Sequence, residues 1–238
     1  MRIFQFIENP LYVYLDDVKY IRIFQELRQR HFQNITKIVL LDRRKMWAFS
    51  LKRNISNIFS NPDYPRLYPN TVIEEYSCAM HAKYEVLQRS IKDNAFNTKY
   101  FAWIDVGYFR DSLKSEDIQQ FKIDIPPNFV PTKVAYNEVF SPLYRTLKNI
   151  VYKNEVWVGG GFFIAESDVM LKWVEDYMYY TERFIELGLI STDQQVIYGM
   201  NQPLIHKKIG NRRVTIQPYR GDDPTKWLYL GYLCKKLI

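Results

Sequence analysis

Five apolar, β-favouring residues, Leu11 to Leu15, stop at Asp16 and Asp17, and this run reads as a buried strand. From residue 18 to residue 30 the period changes. Val18, Ile21, Phe24 and Leu27 recur at every third position among lysines and arginines, which predicts an amphipathic helix. Ile35 to Leu41 repeats the strand pattern and ends in Asp42 and the basic turn Arg43, Arg44, Lys45. Three prolines between Ser60 and Asn70 predict a loop. Met80, Tyr84, Leu87 and Ile91 then share one face of a helix from about Cys78 to Lys92. Tyr100 to Ile104 is an almost wholly apolar strand that stops at Asp105.

Strand and helix alternate through this half, so the pattern predicts an α/β fold with a Rossmann-like, largely parallel central sheet flanked by helices. Such sheets bind ligands beyond the carboxyl ends of their strands, where Asp16, Asp17, Asp42 and Asp105 all fall. An aspartate after a strand is equally a common turn residue. Residues 112 to 149, with Pro126, Pro127, Pro131 and Pro142, read as irregular, a long lid or acceptor loop. Val156 to Val158 begins a strand that Gly159, Gly160 and Gly161 interrupt and Phe162 to Ala165 resumes. Ser167 is placed to cap a long amphipathic helix closed by Gly188, and Thr192 to cap a shorter one carrying Asp193, Gln194 and Gln195. No repeat or low-complexity segment divides the chain, so residues 1–238 read as one domain.

Composition narrows the chemistry. Nine glycines in 238 residues, the first at Gly107, leave no G-x-x-x-x-G-K-[ST], no G-x-G-x-x-G and no G-x-S-x-G, which excludes phosphate-cradling loops and the serine-hydrolase elbow. Two cysteines, Cys78 and Cys234, and three histidines, His31, His81 and His206, are too scattered for a zinc cluster or a disulfide framework. No apolar run reaches the roughly 18 residues of a membrane span, and the N-terminus lacks a signal-peptide pattern, so a cytoplasmic protein is expected.

Charge is unevenly spread: residues 1–98 carry +5, residues 99–204 carry −4 and residues 205–238 carry +6. An acidic middle beside a basic tail suits a compact anionic ligand, such as a nucleoside diphosphate with a metal. The same tail also suits a solvated end or peripheral contact with an anionic membrane. No nucleic-acid motif accompanies the charge, and no nucleic-acid partner is expected.

Four groups of residues carry candidate chemistry. In WIDVGYFRD, Trp103 to Asp111, a strand delivers Asp105 to the sheet edge and Gly107 lets a ligand approach the backbone. Lys83 sits at the flank of the apolar stripe of its helix, where it either reaches over the sheet toward a phosphate or snorkels. The run Gly159, Gly160, Gly161 marks a backbone that bulges or makes room, for a sugar ring or for a close strand crossing. Asp193, with Gln194 at a helix start, is either a general base gripping an acceptor hydroxyl or an ordinary N-terminal helix carboxylate.

The order of His81, Ala82, Lys83, then N-x-F-x-T-x-x-F-x-W-I-D-x-G from Asn94 to Gly107 with Arg110, then V-x-G-G-G-F-F, a long helix and S-T-D-Q-Q resembles the HtrL/YibB family over roughly residues 8 to 205. That family is associated with bacterial surface polysaccharide loci and grouped with GT-A type glycosyltransferases. The resemblance implies a nucleotide-sugar donor, a surface or capsid-type glycan acceptor and a divalent cation, Mn2+ or Mg2+. It further implies a nucleotide-sugar-binding half to about residue 110, an acceptor and sugar half over about 111–205, and the basic tail. On that footing Asp105 stands where GT-A enzymes place the metal-binding D-x-D, here reduced to Asp105, Val106, Gly107. Lys83 and Arg110 frame the donor, Gly159 to Gly161 pass beneath its sugar, Asp193 and Gln194 face the acceptor, and His206 supplies a further metal ligand. The other reading is a non-catalytic sugar- or nucleotide-binding module derived from such an enzyme.

Overall fold

A computed structural model of the chain describes residues 1–28, 32–114, 118–210, 212–222 and 225–238; His31 lies outside the described residues. The elements run β1 (Leu11–Leu15), α1 (Lys19–Arg28), β2 (Thr36–Leu40), α2 (Trp47–Ser50), α3 (Lys52–Phe59), α4 (Glu74–Asp93) and β3 (Tyr100–Ile104). They continue with β4 (Phe121–Ile123), β5 (Lys133–Glu138), α5 (Leu147–Tyr152), β6 (Val158–Glu166), α6 (Ser167–Glu186), α7 (Asp193–Met200), α8 (Pro203–Ile209), β7 (Thr215–Arg220), α9 (Tyr229–Cys234) and β8 (Lys235–Leu237). β1, α1, β2, α4 and β3 lie close to where the apolar runs and helical stripes place them, with α4 starting one turn earlier, whereas α2 and α3 fill a stretch for which the pattern predicts no element.

The sheet differs from the expected largely parallel one. Strands β3, β6, β5 and β7 form a four-stranded sheet in that order, with β3 and β5 both antiparallel to β6 and only β5 and β7 parallel. β1 and β2 make a separate parallel pair, and β4 and β8 an antiparallel one. The α/β character holds, but the sheets are small and mixed. Alternation of strand and helix, from which parallel pairing follows, ends at β3; its partner β6 lies 54 residues on and runs the opposite way.

Much of the error sits in residues 112–149. What reads as irregular there contains β4 and β5, and β5 occupies the interior of the four-stranded sheet with Val134, Ala135 and Tyr136 fully buried. Flanked by prolines, its six residues mix Lys133, Asn137 and Glu138 with Val134 to Tyr136, so no apolar run marks it as the runs of β1 and β3 do. The triple glycine does not interrupt its strand, since β6 runs continuously from Val158 to Glu166; the irregularity is a register shift opposite Tyr136 and Asn137. Ser167 is the first residue of α6 and makes no side-chain cap, whereas Thr192 and Gln195 form a capping box on α7.

Helices cover both faces of the sheet, so β3 and most of β6 are apolar on both sides, whereas the edge strand β7 alternates buried and exposed positions. Phe163 and Ala165 of β6 point into the cluster built by α4, α6 and α7, while Phe162 and Ile164 point into the opposite cluster with Phe4, Phe24 and Phe121. Tyr84 of α4 stacks between Phe163 and Tyr177, with ring centroids 5.6 and 3.4 Å away, and fastens α4 and α6 to the sheet. No described helix is long and apolar enough to cross a membrane.

Candidate functional site

Three elements converge on one ammonium group. Lys83 projects from α4 toward the sheet, with only 5% of its side chain exposed. Its Nζ lies 3.2 Å from Asp105 Oδ1 just beyond β3, 3.3 Å from Asp193 Oδ2 at the start of α7, and 3.2 Å from the Gly160 carbonyl oxygen in β6. Three acceptors match the three protons of the ammonium. The ring of Trp103 lies under the same nitrogen, 5.8 Å to its centroid, and Trp103 Nε1 donates to Asp105 Oδ1 at 2.6 Å.

Burial pushes the Lys83 pKa down, but attraction to Asp193 and Asp105 outweighs it and leaves the pKa raised, so the lysine is cationic. Burial raises the Asp193 pKa, against the opposing pull of Lys83. The two carboxylates differ in access: Asp193 is 3% exposed and Asp105 is 42% exposed. Asp105 is therefore the charged face of the cluster, and Asp193 the group that holds Lys83 from behind.

The glycines make room for this chain's own side chains. A Cβ on Gly160 would collide with the Asp193 carboxylate, one on Gly161 would lie 3.1 Å from the Tyr108 ring, and one on Gly159 would touch Val139 and Trp227. Gly107 is open; a Cβ there would meet only Arg110 Nη1, at 3.7 Å. Arg110 is exposed, its guanidinium lies by Gly107, and it forms no ion pair with another described residue. Gln194 follows Asp193 in the first turn of α7 and is half-buried.

His206 is not part of the cluster. Its Nε2 lies 2.7 Å from the Met200 carbonyl oxygen at the end of α7 and 2.7 Å from Arg212 Nη1. Among the described residues no three carboxylate, histidine or cysteine side chains come together to hold an ion. Asp105 already receives Lys83 and Trp103, and the positive charge in the cluster is the lysine itself. The side chains present therefore do not fit a resident divalent metal. Asp16, Asp17 and Asp42, also at strand ends, pair with Arg43, Lys19 and Arg44 instead.

Trp103 is the contributor that sequence reasoning quoted without giving it a role. The signal was present: residues two apart on a strand share a face, so Trp103 and Asp105 were bound to be neighbours. His81, two positions before Lys83, is fully buried and points away from the cluster, with Nδ1 2.6 Å from the Tyr177 hydroxyl.

The family model described as "bacterial protein of unknown function (HtrL_YibB)" matches residues 1–202. No curated protein matches the chain. The chain belongs to the HtrL/YibB family.

Proposed function

We propose that this HtrL/YibB-family chain is a glycosyltransferase that moves a sugar from a nucleotide-diphosphate donor to a glycan hydroxyl, with Lys83, Asp105 and Asp193 as its polar centre. The observation that carries the reading is Lys83, a buried cation clamped between an inaccessible and an accessible carboxylate. A charge fixed in a water-poor site needs no reorganisation when a leaving group gains negative charge, and leaving-group stabilisation is the demanding step of sugar transfer. Lys83 and the exposed Arg110 supply positive charge toward the departing diphosphate. Asp105, facing solvent, receives the incoming hydroxyl or a sugar hydroxyl, and Asp193 fixes Lys83 through their ion pair. The grouping of the family with GT-A type enzymes supports this reading, through the resemblance rather than through the sheet.

A second reading is a binding module without turnover. It is favoured by the saturation of Lys83: all three of its protons are engaged, and Asp193 is too enclosed to reach an acceptor as it stands. Thermal-shift measurements against a panel of nucleoside diphosphates and sugar nucleotides, followed by a donor-hydrolysis assay, separate the two. Stabilisation by a donor together with hydrolysis that falls in Asp105→Asn supports the transferase. Binding without hydrolysis, unchanged in Asp105→Asn, overturns it.

A further inference from the structure

Two strands of this fold end in the same empty space. Among the described residues β1 is paired along one edge only, with β2, and β3 along one edge only, with β6. All five residues of each line a single cavity of about 470 Å3. The Tyr12 hydroxyl donates to Asp93 and accepts from the Ala95 amide, at the end of α4, while the Tyr14 hydroxyl meets Ser90 Oγ nearly one turn earlier. β1 therefore runs back along α4. So does β3, which leaves the end of α4 and finishes near Lys83, where Asp105 follows. The two strands thus run in the same direction with their free edges turned to one slot.

The slot is apolar on both faces. Val86 and Leu87 of α4 roof it, and Phe24, Ile123 and Ile164 lie on the other side. Among the described residues, no backbone hydrogen bond reaches the inner edge of either strand. Unpaired amides and carbonyls facing an apolar cavity cost about 1–3 kcal/mol each when they stay dry. An acyl chain would fill the space and leave both rows unmet. A peptide in extended conformation meets both, because strands stack at about 4.8 Å and present donors and acceptors on either edge.

Among the described residues no strand is left over to fill it. Strands β1 to β8 are committed, and the stretches outside the description are no longer than three residues. We propose that the slot between β1 and β3 receives an extended apolar polypeptide strand of about five residues from outside residues 1–238, hydrogen-bonded to both edges. The insertion joins the β1–β2 pair to the four-stranded sheet. It also braces Trp103 and Val106, which line the slot and flank Asp105. The inference stands on backbone pairing and not on the transferase reading.

The test uses a fluorescein-labelled peptide, KKVIVVIVKK, with the whole chain. Anisotropy reads binding, and amide hydrogen exchange reads residues 11–15 and 100–104. The expected result is saturable binding of one peptide per chain, with exchange in both strands slowed at least about tenfold. A peptide of the same sequence with alternate amides N-methylated keeps its apolar side chains but loses the N–H donors of one whole edge, so it cannot pair with both strands and is expected to bind at least about tenfold more weakly. The proposal is overturned by no binding, by binding without slowed exchange in both strands, or by equal binding of the N-methylated peptide. Slowed exchange on adding laurate alone would overturn it in favour of a lipid.

Discussion

The carboxylate of Asp193 rests in the space that a side chain on Gly160 would fill, and the carbonyl oxygen of Gly160 binds the same ammonium that Asp193 holds. One glycine thus lets α7 press its first residue against β6 while its backbone completes the shell around Lys83. This assigns the middle of the triple glycine to the cluster itself.

Gly160→Ala is expected to push Asp193 off Lys83, at about 1–3 kcal/mol, the usual cost of an added methyl in a packed interior. Gly107→Ala is expected to be nearly silent in stability, because its methyl meets only the movable end of Arg110. Urea denaturation of both variants checks this. Equal losses would show that Gly160 is not specially confined.

Lys83→Met removes the counter-charge of a buried carboxylate. Breaking a buried ion pair from one side costs about 3–5 kcal/mol, mostly because the remaining charge is stranded. Lys83→Met combined with Asp193→Asn is expected to recover part of that loss, since an amide needs no counter-ion. A double-mutant cycle by denaturant unfolding measures the coupling, and simple addition of the two single losses would refute it.

These relationships were only partly legible beforehand. Lys83, Asp105 and Asp193 each stood out by position: at the edge of a helical stripe, after an apolar strand, and at a capped helix start. Their meeting did not, because it depends on α4 and α7 packing side by side against β6, and that is set by long-range packing and strand order rather than by local pattern. Likewise, Tyr100 to Ile104 reads as a strand from its residues alone, while the antiparallel partner of that strand is invisible to periodicity. The expected largely parallel sheet came from extrapolating the β1–α1–β2 rhythm past Asp105, where it stops. His206 stands apart from the cluster for a local reason: the Met200 carbonyl at the end of α7 and Arg212 engage its ring.

Burial lowers the His81 pKa to about 3, whereas an unfolded histidine titrates near 6.5. Below that upper value the unfolded chain takes up a proton that the folded chain refuses. His81 therefore favours the fold above about pH 6.5, and the advantage is lost as pH falls toward about 3, by at most about 1.4 kcal/mol per pH unit. Urea midpoints between pH 7 and pH 5 are expected to fall more steeply for the natural chain than for His81→Gln, a comparison that cancels other titrating groups. Parallel curves would show that His81 is not held neutral.

Trp103 donates to the oxygen of Asp105 that also lies nearest Lys83, so its indole fixes how the exposed carboxylate is presented. Trp103→Phe keeps an aromatic ring under the Lys83 ammonium and deletes only the N–H. Because the lost hydrogen bond is charge-assisted, about 1.5–3 kcal/mol is at stake, part of which exposure to water returns. Donor affinity by calorimetry is expected to weaken about tenfold, which corresponds to about 1.4 kcal/mol, while the melting temperature changes little. Trp103→Leu, lacking both ring and N–H, is expected to weaken binding further. If Trp103→Phe binds donor as the natural chain does, the presentation of Asp105 does not matter to the donor, and the transferase reading loses its exposed carboxylate.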